Sequence, residues 1–248
     1  MACIERTPGA NIGAPSSHLM HRIFLQVLGL TLVCNLALAK DASDSTKWLS
    51  TSQLQALEDS VPPPPTPNSA EDQADLAAIV AAQNTRTPDV IAECKRDETF
   101  TYKLFQSVYG DNITTDKYPK FYQLLKDVLG DTKVVNETAK NKYKRLRPYQ
   151  AHPDTVKALF NVTGFSYPSG HSMGSFTLAV VFGAIFPDKQ QAFLDRAQQI
   201  AQSRVDAGVH NPSDIKEGEV LGKAVGAALL ANPDFQKDLG DVIAEVKK

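Results

Sequence analysis

Cysteine is scarce in this chain. Three in 248 residues, Cys3, Cys34 and Cys94, cannot make a disulfide framework. Fourteen glycines and fifteen prolines are too few for a collagenous or disordered chain. Neither sign of charge dominates: 26 Lys and Arg stand against 28 Asp and Glu, for a formal net charge of −2. A general nucleic-acid binder is usually distinctly basic, and an isoelectric point near 6.2 argues against one. Long apolar runs are also missing beyond the first forty residues. The most apolar later stretch, Met173 to Phe186, contains Gly and Ser and falls short of the roughly twenty residues a bilayer requires. It reads as a buried core helix. The length suits one sizeable domain, or at most two small ones.

The N-terminus has a different character. His21-Arg22 precedes an almost uncharged run from Ile23 to Leu38, and Ala37-Leu38-Ala39 leads into Lys40. A short basic start, an apolar stretch and small residues at −3 and −1 are the pattern of a secretory signal peptide. Residues 1–39 are therefore expected to be leader, with Met20 as an alternative start, and the protein to be periplasmic or secreted. Cleavage there would leave no stable membrane span and a single thiol, Cys94, so stability must come from the core.

Residues 40–70 read as an N-terminal segment carrying a stiff Pro62–Pro65 linker, and residues 71–248 as the functional domain. Apolar residues recur at helical intervals over Asp44–Ser60, Glu71–Gln83 and from Pro88 to a stop at Gly110. The next run, Phe121 to Leu129, is expected to stop at Gly130, and a separate charged helix to cover Thr132–Leu146. Ser169–Phe186, Asp188–Asp206 and Ser213–Leu230 follow. Alternating runs are few and there is no internal repeat. The expected fold class is all-α, a single helical domain.

Three segments stand out in order: Lys140-x6-Arg147-Pro148, then Pro168-Ser169-Gly170-His171, then Ser203-Arg204-x5-His210-x3-Asp214. Each is weak alone, since a Lys and an Arg seven apart usually mark a solvated helix face. Jointly they fix eleven residue identities, and an accidental match falls below about one in 10⁸.

These residue types in this pattern suit an oxyanion. A helix would bring Lys140 and Arg147 to one face, and a residue before proline is pushed out of helical conformation, which lets Arg147 turn inward. Arg204 adds a third cation, and an arginine can hold two oxygens at once. Ser169 and Gly170 sit where a loop enters an apolar helix, whose free N–H groups attract an anion. Asp214 lies one helical turn past His210 and can hold one ring nitrogen, leaving the other as a nucleophile. His171, at the mouth of the same pocket, is placed to protonate a leaving alcohol. Lys142, Lys144 and Arg145 read as solvated or as attracting anionic substrates; Tyr149, Phe165 and Tyr167 as core, or as a platform for an aromatic leaving group. Cations would lower the pKa of both histidines and Asp214 would raise it; the sequence leaves that balance open.

The three segments resemble the signature of the PAP2 superfamily of phosphatases and vanadium haloperoxidases. Ser166-Tyr167 before the second segment, the leader and the proline run resemble the bacterial class A non-specific acid phosphatases. The resemblance implies an all-helical fold and hydrolysis of small-molecule phosphate monoesters through a phosphohistidine on His210. It further implies His171 as acid, Asp214 as orienting group, and phosphate contacts from Lys140, Arg147, Ser169, Gly170 and Arg204. It implies no metal and no other cofactor; the charge balance argues against a nucleic-acid partner, and a homo-oligomer stays open. A haloperoxidase using vanadate, a lipid-phosphate phosphatase and a basic binding module remain as alternatives.

Overall fold

Twelve buried residues in one sixteen-residue helix, Gly170–Ile185, make that helix the axis of the protein. The computed structural model describes residues 46–247; the expected leader, 1–39, lies outside the described residues. Within them the order is α1 Thr51–Ser60, α2 Ala70–Asn84, α3 Pro88–Arg96, α4 Gln106–Tyr109, α5 Pro119–Tyr143, α6 Pro148–Ala151, α7 Gly170–Ile185, α8 Gln190–Asp206, α9 Pro212–Ala231 and α10 Pro233–Val246. No strand occurs among the described residues, so the fold is all-α. A helix apolar on every side must be enclosed, and α5, α8 and α9 pack around α7. None of the described helices is long and apolar enough to cross a membrane.

The contact that matters most for the site is α7 on α9. Gly218, Gly222 and Gly226 recur every four residues and line one face of α9. A Cβ at Gly218 would stand 2.6 Å from the Ser169 carbonyl oxygen, and one at Gly222 would stand 2.3 Å from that of Met173. Only hydrogen fits there, so the two backbones touch. Thr177 Oγ1 donates at 3.0 Å to the Gly222 carbonyl, and Ser172 Oγ at 2.6 Å to that of Ile215. The N-termini of α7 and α9 therefore meet, and Ser169 N–H donates to the Asp214 carbonyl at 3.0 Å.

Residues 46–69 belong to the same core. Asp131, buried on α5, accepts N–H groups of Lys47, Trp48 and Leu49 at 2.6, 2.9 and 3.2 Å, and Trp48 meets Phe235 edge to face at 5.0 Å. The proline run is strapped down as well: Tyr143 donates to the Val61 carbonyl and Tyr167 to that of Pro62 at 2.9 Å.

Three expected boundaries need correction. The run from Pro88 to Gly110 is not one helix: it breaks after Arg96 and resumes only in the short turns that end in α4. The runs 121–129 and 132–146 form one helix, α5, which passes through Gly130 because nothing crowds that position; an exposed glycine costs a helix only about 1 kcal/mol. The helix then ends at Tyr143, where Lys144 turns left-handed with φ 50°. Arg147 consequently does not share a helix face with Lys140. It caps α6 in extended conformation at ψ 153°, as the residue before a proline should. The final helix, α10, was not expected; its apolar face closes the far end of the bundle through Phe235, Leu239 and Val242.

Candidate active site

Two chain turns hold His210 in place. Gly208, with φ +74°, ends α8 as a left-handed cap and swings the chain back so that the N–H groups of Val209 and His210 reach the Arg204 carbonyl at 3.1 and 3.2 Å. Asn211 then caps α9, and Asp214 falls at its third position, where its carboxylate accepts from the Asn211 N–H at 2.7 Å. His210 and Asp214 are thus locked one turn apart.

His210 is 2% exposed. Its Nδ1 lies 3.4 Å from Asp214 Oδ2 and 3.4 Å from Ser166 Oγ, and the Ser166 hydroxyl itself donates to that same carboxylate oxygen at 2.5 Å. With both acceptors on Nδ1, the proton belongs there, and Nε2 keeps its lone pair. Arg147 Nη1 faces Nε2 at 3.1 Å. Nη1 also donates to the Val209 carbonyl, and Nε and Nη2 donate to those of Gly164 and Thr163, each at 3.0 Å. The guanidinium cannot swing away.

Lys140 reaches the same centre from α5, donating to the carbonyls of Phe165 and Ser166. Arg204, fully buried, uses one donor on the Asp97 carbonyl at 3.1 Å and lies over the Phe160 ring at 5.1 Å; its Nε and Nη2 have no protein partner. Ser169 caps α7, and Gly170 lies so close to Asn136 that a Cβ would stand 2.8 Å from its amide nitrogen. His171 Nε2 donates to the Glu98 carbonyl at 3.1 Å, and its ring tilts against Phe100 at 5.3 Å.

The electrostatics follow from this convergence. Burial, then the Arg147 charge, lowers Lys140 to about 7; the same two causes lower Arg204 to about 10. Burial lowers Arg147 as well. For His210, burial and the charges of Arg147 and Lys140 outweigh Asp214 and bring the imidazole to about 3. His171 is held well below the ordinary histidine value by burial, then by Arg204 and His210. Burial works against an ionised Asp214, but His210, Arg145 and Ser166 prevail and its carboxyl falls to about 2. Three mutually repelling cations with too few anions make a pocket that a tetrahedral oxyanion would neutralise. Among the described residues, no three His, Cys, Asp or Glu side chains gather to hold a metal ion.

All eight expected site residues thus lie on this one centre or its rim. The expectation for Arg145 needs correction. Rather than solvated, it donates to Asp214 Oδ1 and Ser213 Oγ, both at 2.7 Å, and pairs with Asp72 and Asp75 on α2 at 3.0 Å each. Beyond the α5 cap the chain is extended, so alternate residues face alternate sides: Arg145 and Arg147 point in while Leu146 is 55% exposed. Lys142 and Lys144 are exposed. Tyr149 and Tyr167 pack into the core. Ser166, Phe100 and the Asp97–Glu98 carbonyls were not singled out as site groups. Only the proximity of Ser166 to the second segment hinted at any of them.

The fold and the site together define an all-helical protein with a cationic oxyanion pocket faced by two imidazoles. Residues 127–237 match the profile of the PAP2 superfamily. It is 33% identical over 155 residues to a non-specific acid phosphatase of Providencia stuartii, covering 58% of this chain and 61% of that protein. A non-specific acid phosphatase of Salmonella typhimurium is 31% identical over 151 residues, covering 58% and 60%. An acid phosphatase of Zymomonas mobilis is 28% identical, covering 56% and 54%. The similarity thus spans about three fifths of these relatives' length. The fold resembles a transmembrane PAP2-type phosphatidylglycerolphosphate phosphatase of Bacillus subtilis, with TM-score 0.51, 22% identity, and 70% and 89% of the two chains covered.

Proposed function

We propose that the protein is an exported acid phosphatase that hydrolyses small phosphate monoesters through a phosphohistidine on His210. The observation that carries this reading is a neutral His210 whose unprotonated Nε2 meets the Arg147 guanidinium at 3.1 Å, so that an attacking imidazole and a phosphoryl-binding cation share one spot. Arg147, Arg204, Lys140 and the N–H groups at Ser169–Gly170 take the phosphoryl oxygens and the charge that builds on them. The Nε2 lone pair attacks phosphorus, and the bond to the ester oxygen breaks. His171, whose Nε2–H is committed to Glu98, gives the leaving alkoxide a proton from Nδ1. Water then attacks the phosphohistidine, His171 taking its proton, and phosphate departs.

The low pKa of His171 has a chemical consequence. Below about pH 6 a phosphate monoester arrives as a monoanion, so the substrate brings the proton that His171 needs once the dianion lies among the cations. Acid pH thereby supplies the reactive state without a protonated resting His171. Export rests on the residue 1–39 leader pattern, tested by N-terminal sequencing of the protein recovered from periplasm and medium.

The decisive test is rapid quench of the protein with ³²P-labelled monoester. Acid-labile, base-stable label on His210 supports the reading, and turnover with none at any time point contradicts it. Running the assay with p-nitrophenyl phosphate and with phosphatidic acid vesicles separates a small-ester enzyme from a lipid phosphatase.

A further inference from the structure

We propose that Arg145 is a positioning residue for the nucleophile, acting as a clamp that ties the Asp214 carboxylate to the α2 carboxylates Asp75 and Asp72. The inference rests on the function proposed above for His210 and Asp214. Its geometry is independent of that reading. One guanidinium spans three carboxylates: Nη1 to Asp214 Oδ1 at 2.7 Å, Nη2 to Asp72 and Asp75 at 3.0 Å each. Its side chain is 11% exposed, and those of Asp75 and Asp214 are 7% and 0% exposed. Asp75 also receives the Ser213 N–H at 3.0 Å and the Ser213 hydroxyl, so α2 is pinned to the first turn of α9.

The division of Asp214 gives the clamp its purpose. Oδ2 faces His210 and is shared with Ser166 and Asn211; Oδ1 faces Arg145. The charged Nη1 donor holds Oδ1 at 2.7 Å while Ser166 and the Asn211 N–H hold Oδ2, and a carboxylate fixed at both oxygens by charge-assisted and backbone hydrogen bonds cannot turn, so Arg145 helps set where Oδ2 meets Nδ1. Arg145 itself stays charged, because Asp214 and Asp75 more than offset its burial. The groups facing the His210–Asp214 unit are Arg147 before α6, Lys140 on α5, Arg204 on α8, His171 on α7 and Arg145, with Asp72 and Asp75 behind it. Removing the Arg145 charge leaves the Asp214 negative charge uncompensated, which favours protonated His210 and weakens it as a nucleophile at acid pH.

The test compares wild type, Arg145→Gln, Arg145→Lys and His210→Ala on p-nitrophenyl phosphate from pH 3 to 8, with the His210 imidazole titration followed by ¹⁵N NMR. For Arg145→Gln the expected result is a kcat loss of about 10- to 100-fold with KM within about threefold. The acid limb and the His210 titration should both move to higher pH, and Arg145→Lys should restore part of each. Unchanged kcat and titration in folded Arg145→Gln overturn the clamp, as does a uniform loss at every pH with the titration unmoved. If Arg145→Gln fails to fold, Asp75→Asn takes its place: it removes a negative charge behind the clamp, so a fall in the His210 titration supports the inference and a rise overturns it. Wild type without turnover, or an active His210→Ala, defeats the functional reading instead; the NMR readout still judges the clamp.

Discussion

The two histidines sit in opposite kinds of surroundings. His210 is sealed, and the groups that hold it come from two of the signature segments, Arg147 from the first and Asn211 and Asp214 from the third, with Ser166 from just before the second. His171 keeps part of its surface open and leans on a loop outside those segments, through the Glu98 carbonyl and the Phe100 ring. A cavity of about 310 Å³ lies on its side, lined by Phe100, Asn136, Gly170, Met173 and Gly174 among others. On the function proposed above, the His210 side would meet only phosphorus and can be rigid and identical for every ester, whereas the His171 side would have to admit whatever alcohol departs.

The sharpest way to break this comparison is at His210. His210→Ala should lose activity by about 10⁴-fold or more on every ester, because no second nucleophile stands at that position. Equal residual rates for His210→Ala and wild type would end the proposal. His171→Ala should behave differently. With an alkyl ester the loss should reach about 10²- to 10⁴-fold, whereas p-nitrophenolate leaves with little help and its phosphoenzyme should still form. Measuring the initial burst with both esters checks this; equal loss of burst with the two would put the acid role elsewhere.

The titrations sharpen the contrast. His210, lowered to about 3, stays neutral over most of the acid range, so kcat/KM should fall only as pH drops toward 3. On the other side, the proton carried by the monoanion is lost above about pH 6, and Lys140 loses its charge near 7. The profile should therefore be bell-shaped with its plateau between roughly 3.5 and 6, falling about tenfold per pH unit beyond. A stability consequence has its own sign. A histidine whose pKa is depressed on folding costs stability as pH falls from its unfolded value near 6.5 toward 3, whereas Asp214, ionised down to about 2, keeps contributing over that window. Added phosphate should raise the melting temperature most at acid pH, where all the cations are charged.

Below these effects comes the packing that holds both sides together. Gly222→Ala would put a methyl 2.3 Å from the Met173 carbonyl oxygen. Separating α7 from α9 should cost about 1–3 kcal/mol, a fall of about 2–12 °C at this size. Because α7 carries His171 and α9 carries Asp214, activity should fall more than folded fraction. Gly130→Ala, at an exposed position of α5, is the control and should be neutral or stabilising.

Much of this arrangement could be read from residue order. The apolar axis α7 was plain because no charge interrupts it, and the pairing of His210 with Asp214 followed from a four-residue step. What escaped had physical reasons. Glu98 and Asp97 act through backbone carbonyls, which carry no side-chain signature. Arg145 was misassigned because a helical period was carried past Tyr143, where the chain is extended and the facing rule changes from every third or fourth residue to every second. Lys140 and Arg147 converge for a related reason: the left-handed turn at Lys144 does what a shared helix face was expected to do.

The smallest expected effect tests how tightly the sealed side is built. Ser166 donates to Asp214 Oδ2 at 2.5 Å and lies 3.4 Å from His210 Nδ1, so it competes with the imidazole for the same carboxylate oxygen. Ser166→Ala removes a hydrogen bond to a charged group, worth about 1.5–3 kcal/mol in isolation. The Asn211 N–H and Arg145 still hold the carboxylate, and Oδ2 becomes free to approach Nδ1 more closely. The two consequences oppose each other, and kcat should fall by no more than about tenfold while KM stays put. A loss as large as that of His210→Ala would make Ser166 part of the reacting machinery and the sealed side a four-residue unit. A gain in kcat would mean that the serine holds the carboxylate back from its imidazole.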